Sequence, residues 1–334
     1  MPKKSLVIDA QNHFVPREAA ATANKTEGVD FAGRARKPNA AYVRAFDIEA
    51  TLRHMEDCGI DMALIALATW ITPGMEVCRA INDAYAKVGA AHPGKFLLMA
   101  HVPYHEGPGA IKELHRCIND LGMRGVTVLT SVKDITLDEE AMFPFYEEVC
   151  RLDVPIVVHP SVKEPIWGGV KYDMSSSVSR EYDIAKCVVE VSQGVLPRYP
   201  DLKFVFPHYG GGIPALKGRI MSWYSLAPTD LPEENRGLPR TIKEVEDFQL
   251  MPKFNKYFDK IYFDMAGFGG WMTIARAALE AIKHERLCFG TDYPFEMRRV
   301  NDLKTYIENI RALDIPGEEI EAILGGNLQR LFKI

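Results

Sequence analysis

Residues 203–212 read Lys203-Phe204-Val205-Phe206-Pro207-His208-Tyr209-Gly210-Gly211-Gly212. A short apolar run of this kind is typical of a buried parallel strand, and the histidine and glycines mark the point where the strand ends. Similar apolar runs recur along the chain, separated by longer stretches with helical spacing. The predicted strands are residues 5–10, 62–67, 96–102, 125–129, 155–159, 203–207, 260–265 and 287–290.

The stretches between these runs are amphipathic and predict helices. The clearest are residues 48–58, 76–91, 110–121, 143–152, 182–196 and 272–283. Eight strands alternating with helices predict an α/β fold, a single (β/α)₈ TIM-barrel domain over residues 1–334. An open doubly wound sheet is the alternative, but no GxGxxG motif follows the first strand, so its dinucleotide-binding form has no support.

Composition narrows the class of partner. The chain has 334 residues, 47% of them hydrophobic, and a formal net charge of −5 without a block of basic residues. This charge balance argues against nucleic acid or a membrane surface and favours a small-molecule substrate. The start of the chain lacks the apolar core of a signal peptide, and six scattered cysteines form no CxxC pair, so we expect buried thiols and a cytoplasmic protein.

Three connections are too long for simple turns, namely residues 15–46, 161–180 and 225–255. The first two follow the carboxyl ends of predicted strands, which form the catalytic face of a barrel. Long connections in a compact domain are usually functional, so we expect them to cover that face.

Polar side chains cap four of the predicted strands. Gln11 and His13 follow the first strand, His159 ends the fifth, His208 follows the sixth and Asp292 follows the eighth. In a barrel these positions converge on one mouth, where imidazole and carboxylate groups can bind a divalent metal ion. The other histidines are interpreted structurally: His101 and His105 as loop packing, and His54, His92, His115 and His284 as parts of solvated helix faces.

Two stretches also resemble a known family. Residues 206–214 read Phe206-Pro207-His208-Tyr209-Gly210-Gly211-Gly212-Ile213-Pro214, and residues 290–295 read Gly290-Thr291-Asp292-Tyr293-Pro294-Phe295. They resemble the strand-six and strand-eight motifs of the aminocarboxymuconate-semialdehyde decarboxylase branch of the amidohydrolase superfamily. Weaker similarities, including Gly326-Asn327-Leu328-Gln329-Arg330-Leu331-Phe332, extend the resemblance over nearly the whole chain.

The resemblance implies a role for each strand-end residue. His13, His159 and Asp292 match metal ligands, Asp292 also matches the proton-transfer group, and His208 matches the residue that orients or activates metal-bound water. Gln11 stands where the family has a histidine or glutamate ligand, and its neutral amide is a weaker donor. We therefore expect one divalent ion, with Zn²⁺ preferred and Mn²⁺ or Mg²⁺ as alternatives, and no organic cofactor.

A second departure concerns the resorcylate-type decarboxylases, which carry an acidic residue three positions after the strand-six histidine. The matching residue here is Gly211, so the resemblance predicts no such histidine–carboxylate pair and favours the semialdehyde decarboxylase subgroup. Arg44, in the first long connection, is the predicted partner of a substrate carboxylate. Trp70 and Trp167 are predicted to form an apolar wall over the substrate, while Arg180 and Tyr293 are further candidates.

These features predict an enzyme that removes CO₂ non-oxidatively from an aromatic or unsaturated carboxylic acid, as in the catabolism of aromatic compounds. The same parts could serve a hydrolase or hydratase, since metal ions also activate water. A degenerate barrel without activity is a third reading, because Gln11 weakens the metal motif. The family resemblance also implies a homodimer or a higher homo-oligomer.

Overall fold

The computed structural model describes residues 6–23, 40–133, 135–161, 172, 174–225 and 250–334. Its main sheet has eight strands, and each of the eight predicted strands is confirmed. In chain order they are β1 (Ile8–Asn12), β2 (Met62–Ile65), β3 (Phe96–Ala100), β4 (Gly125–Leu129), β5 (Ile156–His159), β6 (Phe204–Phe206), β7 (Tyr262–Asp264) and β8 (Leu287–Cys288). A short hairpin of Ser131–Val132 and Ile135–Thr136 follows β4.

The sheet closes on itself. Its strands pair in parallel and in chain order from β1 to β8. Beyond β8 the chain reaches back to β1, since Ala10 N donates to Phe289 O at 2.8 Å and His13 N donates to Tyr293 O at 2.8 Å. The predicted (β/α)₈ barrel is therefore confirmed, and every strand ends at the same mouth.

Helices surround this barrel. The α-helices are Arg17–Ala23, Ala40–Ala45, Ile48–Cys58, Met75–Ala91, Pro108–His115, Phe143–Leu152, Arg180–Glu190, His208–Ser225, Leu250–Phe258, Met272–Ala281, Val300–Arg311, Gly317–Glu321 and Asn327–Phe332. π-helical turns at Arg116–Asp120 and Val191–Val195 extend two of them. Two short helices, Arg17–Ala23 and Ala40–Ala45, occupy the described ends of the first long connection.

Two apolar clusters form the core. The larger lies between the strands and the surrounding helices. The smaller draws on alternate strand positions such as Ile8, Leu64, Met99 and Val157, together with the last helix, and so fills the barrel below its mouth. The polar strand ends thus lie above an apolar floor.

Two further findings bear on the class of protein. In the described part of the chain, no helix combines the length and the apolar character needed to cross a bilayer. All six cysteines are unpaired, and all but the partly exposed Cys150 are buried. Burial raises the pKa of each buried thiol, as for Cys58 at about 11, which agrees with the interpretation of the cysteines as small buried side chains.

Candidate metal centre and active site

The structure brings the predicted strand-end residues together at the barrel mouth. His13 Nε2 lies 2.9 Å from Asp292 Oδ1. Gln11 Nε2 lies 3.3 Å from the same oxygen and 3.2 Å from His208 Nε2. The ring of His159 meets that of His13 edge-on, with centroids 5.4 Å apart. Residues nearly 300 positions apart in sequence therefore form one polar cluster.

Asp9 holds the backbone of this cluster in place. Its buried carboxylate accepts hydrogen bonds from the backbone N–H groups of Gln11 and Thr291, and from the side chains of Asn12 and Thr291. These bonds fix the chain directly before His13 and Asp292, across a register shift in β1 between Asp9 and Asn12. Burial raises the pKa of Asp9 to about 6, against the effect of its four donors.

His13 and His159 each bond a backbone carbonyl through Nδ1, which leaves Nε2 as the nitrogen available to the site. His13 Nδ1 donates to Ala66 O at 2.8 Å, and His159 Nδ1 donates to Pro160 O at 2.8 Å. These carbonyls accept only, so both Nδ1 atoms carry protons. Neutral His159 therefore has a lone pair on Nε2, whereas His13 Nε2 faces Asp292 Oδ1 and bonds to it through a proton or through a bound cation. Burial lowers the pKa of His159 to about 3, assisted by the positive charges of His13 and Arg180, so this ring is neutral.

The chemistry of the cluster fits a cation. Gln11 Oε1 is buried without a hydrogen-bond partner, an acceptor that lacks a donor. His13 Nε2 points at a carboxylate oxygen, and that contact is favourable only with a proton or a metal ion between them. Among the described residues, no three His, Cys, Asp or Glu side chains are already spaced as metal ligands. The set that could hold an ion is His13, His159 and Asp292, with the Gln11 amide oxygen beside them.

Asp292 is held ionised. Burial by itself raises the pKa of this carboxyl group, but the hydrogen bond from His13 and the positive charges of His13 and His208 outweigh burial and lower it. Asp264, at the end of β7, behaves in the opposite way: burial raises its pKa to about 7 although His208 opposes the shift. The mouth therefore holds one firmly ionised carboxylate and one that readily takes up a proton.

His208 has a carboxylate partner that the sequence did not predict. Its Nδ1 donates to Glu181 Oε1 at 2.8 Å, and its backbone N–H donates to Asp264 Oδ1 at 2.9 Å. Burial lowers the pKa of His208, but the charge and hydrogen bond of Glu181 overcome this effect and raise it to about 9. Gly211 supplies no acidic side chain, as the sequence shows, and the carboxylate partner of His208 comes instead from Glu181 on the helix after β5.

The predicted substrate-binding residues are less well defined. Arg44 is exposed, and its Nη1 donates to Arg298 O at 3.4 Å. Trp70 ends a 3₁₀ turn, Ala68–Trp70, after β2, and Trp167 lies outside the described residues. Arg180 is partly buried and close enough to His159 for its charge to lower the pKa of that ring. Arg180 is therefore the arginine that the described structure places beside the cluster.

The remaining histidines divide into two groups. His101 is fully buried, donates to Met99 O and accepts from Leu67 N, which confirms its interpretation as loop packing. His54 is also buried and stacks on Tyr293 at 4.1 Å, so its prediction as part of a solvated face is wrong. Tyr293 comes directly after Asp292, which makes the stacked pair part of the wall behind the site.

The closed barrel and its histidine–aspartate mouth define the class of protein as a (β/α)₈ enzyme scaffold with a polar cluster at the carboxyl ends of its strands. A family model described as "Amidohydrolase" matches residues 8–334. The chain belongs to this family, as the sequence motifs predicted.

Individual relatives have more specific descriptions. The chain is 28% identical over 310 residues to a gamma-resorcylate decarboxylase of Polaromonas sp., covering 87% of this chain and 89% of that one. It is 24% identical over 274 residues to a 2-amino-3-carboxymuconate-6-semialdehyde decarboxylase of Dictyostelium discoideum, covering 77% and 67% respectively. Both kinds of decarboxylase match, so these identities do not place the chain in one subgroup.

A solved structure shares the fold. The dihydroxybenzoic acid decarboxylase from Polaromonas sp. JS666, with bound manganese and the inhibitor 2-nitroresorcinol, superposes with a TM-score of 0.74. The two chains are 24% identical, and the match covers 98% of this chain and 97% of that one.

Proposed function

We propose that this protein is a metal-dependent decarboxylase that removes CO₂ non-oxidatively from an aromatic hydroxy acid. The observation that carries the proposal is the group of electron-pair donors at the barrel mouth. His13 Nε2 lies against Asp292 Oδ1, the His159 ring meets that of His13 edge-on, and Gln11 Oε1 is buried without a hydrogen-bond partner, beside a protonated His208. The similar gamma-resorcylate and aminocarboxymuconate-semialdehyde decarboxylases support the same reaction class.

His13, His159 and Asp292 are the proposed ligands, and the Gln11 amide oxygen is the fourth candidate. An ion held by these residues would supply positive charge to offset the electrons displaced toward the ring as CO₂ leaves. Zn²⁺ suits the two imidazoles, while Mn²⁺ suits the oxygen donors and is the ion named in the related Polaromonas structure. The experiments below therefore use both ions.

Side chains of the protein deliver the proton that replaces CO₂ on the ring carbon. Asp292 is the proposed proton carrier, and its lowered pKa means that it must first accept the proton that it delivers. His208, with its pKa raised to about 9, stays protonated at neutral pH and lies one side chain away, across Gln11. The site therefore holds an acid, His208, and a base, Asp292, with the Gln11 amide between them.

Arg180 is the proposed anchor for the substrate carboxylate, with Arg44 as the rival from sequence. Arg180 is partly buried near His159, whereas Arg44 is exposed and bonded to a backbone carbonyl. A guanidinium group binds a carboxylate through paired hydrogen bonds, most strongly where water is excluded. Trp70 and Trp167 remain predicted contacts of the substrate ring. A cytoplasmic location, consistent with six free thiols, and a homo-oligomeric state are also proposals.

The test is a product assay. Purified protein with excess Mn²⁺ or Zn²⁺ is incubated with dihydroxybenzoates and muconate-type acids, and CO₂ and the decarboxylated product are quantified together. We expect equimolar CO₂ and product from at least one hydroxybenzoate. Opening of a lactone or hydration of a double bond without CO₂ release would assign the site to the hydrolase or hydratase alternative instead.

A further inference from the structure

Glu181 lies on an element that does not belong to the strand-six motif. It is the second residue of the helix Arg180–Glu190, which follows β5. Its Oε1 accepts the His208 Nδ1 proton at 2.8 Å, and its Oε2 is buried without a hydrogen-bond partner. Among the described residues, His208 is the side chain that this carboxylate binds, and the bond accounts for its place at the barrel mouth.

The helix that carries Glu181 occupies the space in which a side chain at position 211 would lie. A Cβ atom added to Gly211 would lie 2.1 Å from the Glu181 backbone oxygen and 2.8 Å from Ala185 N. Gly211 also has a φ of +68°, which a side chain disfavours. The observed packing of Glu181 therefore leaves no room for a carboxylate side chain at position 211.

The His208 ring is confined on its other sides as well. Its backbone N–H is bonded to Asp264, Gln11 lies 3.2 Å from its Nε2, and a Cβ atom on Gly267 would lie 2.2 Å from its Cγ. The ring is thus pressed against bare backbone at Gly267, which limits it to one orientation. Within that orientation, the partner of Nδ1 decides whether that nitrogen keeps its proton and which atom faces the reacting region.

We propose that Glu181 is a positioning residue that fixes the orientation and the Nδ1-protonated form of His208, and so replaces the carboxylate that Gly211 cannot supply. Its effect on catalysis rests on the proposed decarboxylase function, whereas its effect on the His208 ring does not. The helix Arg180–Glu190, which follows β5, thereby sets the orientation and protonation of His208, which follows β6.

The first experiment measures the ring itself. Long-range ¹H–¹⁵N spectra of histidine are recorded on the full chain saturated with Zn²⁺, which is diamagnetic, and the His208 signals are identified by their loss in His208→Gln. We expect a protonated Nδ1 in the wild type, a changed proton distribution in Glu181→Gln, and recovery in Glu181→Asp. Glu190→Gln, on the same helix, is the matched control and should leave the His208 signals unchanged. Unaltered His208 signals in folded Glu181→Gln would overturn the proposal.

The second experiment measures turnover with a substrate found in the product assay. We expect kcat to fall about 10- to 100-fold in Glu181→Gln, in the range typical of residues that orient catalytic side chains, with KM nearly unchanged and partial rescue by Glu181→Asp. An equal loss in Glu190→Gln, or a change confined to KM, would contradict a positioning role. If the wild type releases no CO₂ but its spectra behave as expected, the proposed reaction fails and the role of Glu181 stands.

Discussion

Gln11 carries the main departure of this chain from its family, and the structure gives that departure a geometry. Its amide nitrogen contacts both His208 and Asp292, while its oxygen has no partner. The amide therefore lies between the proposed proton carrier and the histidine beside it, while its oxygen is the atom available to a cation. A histidine at this position would bind an ion more strongly but could not bridge both neighbours in the same way.

The two arginines near the mouth make different predictions for substrate binding. If Arg180 holds the substrate carboxylate, Arg180→Lys should raise KM by about 10-fold or more, because lysine cannot form the paired hydrogen bonds. Arg44→Lys should change KM by less than about 2-fold, since an exposed side chain adds little. Steady-state kinetics on both variants separates the candidates. The reverse order of effects would restore Arg44 as the anchor.

The His208–Glu181 pair predicts a pH dependence of stability. The pKa of His208 is raised from 6.5 to about 9 by Glu181, in opposition to burial. The stabilisation is therefore fully present below pH 6.5 and is lost as the pH rises through about 9. Urea unfolding of metal-free wild type and Glu181→Gln should show a gap in the free energy of unfolding that narrows between these pH values. A gap that stays constant would exclude a charged pair.

At the scale of elements, the connection from β6 to its helix is the least ordinary part of the fold. His208, Tyr209, Gly210, Gly211 and Gly212 all have positive φ, from 52° to 71°. Five successive residues thus form a left-handed turn, which glycine tolerates and other residues resist. The turn presents the His208 ring to the mouth and lets the Glu181 helix pack against bare backbone.

The tight packing of this turn predicts that a single added methyl group lowers the free energy of unfolding. Gly211→Ala should lower the free energy of unfolding by about 3 kcal/mol or more, because the Cβ meets the Glu181 backbone oxygen and the φ is strained. Gly218→Ala, in the helix that follows the turn and with open space around its Cβ, is the control and should be neutral or stabilising by about 1 kcal/mol. Equal effects of the two variants in urea unfolding would contradict this packing.

Elements were predictable from sequence to different degrees. The eight strands were found because apolar runs bounded by turn residues are a local signal, and the helices Ile48–Cys58 and Phe143–Leu152 match their predicted bounds. The metal-site candidates were found because they follow strands directly. Glu181 was missed, since it follows a long connection whose length does not fix which side chain turns inward. Asp264 was missed because the predicted strand, residues 260–265, extends past it, whereas the observed strand ends at Asp264.

At the scale of the whole molecule, the barrel depends on the join between its first and last strands. The side chain of Thr291 donates to Asp9 Oδ2 at 2.7 Å, and its backbone N–H donates to Asp9 Oδ1 at 2.9 Å. The pair ties β1 to the segment after β8, directly below the polar cluster. The same join therefore closes the barrel and sets the distance between Gln11 and Asp292.

Thr291→Val tests this join. The variant keeps the side-chain shape but leaves a buried carboxylate oxygen with one fewer donor, which should destabilise the protein by about 1–3 kcal/mol. Thr72→Val removes a hydroxyl from an exposed threonine and should change stability by less than about 0.5 kcal/mol. Urea unfolding of both variants provides the comparison. Indistinguishable midpoints would mean that the barrel does not depend on this bond.

We propose above all that the polar cluster at the barrel mouth binds one divalent ion and that decarboxylation depends on Asp292. Metal-free protein is titrated with Mn²⁺ or Zn²⁺ while CO₂ release from 2,6-dihydroxybenzoate or the best substrate of the product assay is recorded. We expect activity that saturates at one ion per chain and falls about 100-fold or more in Asp292→Asn. Release of CO₂ that needs no metal, or that survives Asp292→Asn unchanged, would contradict it.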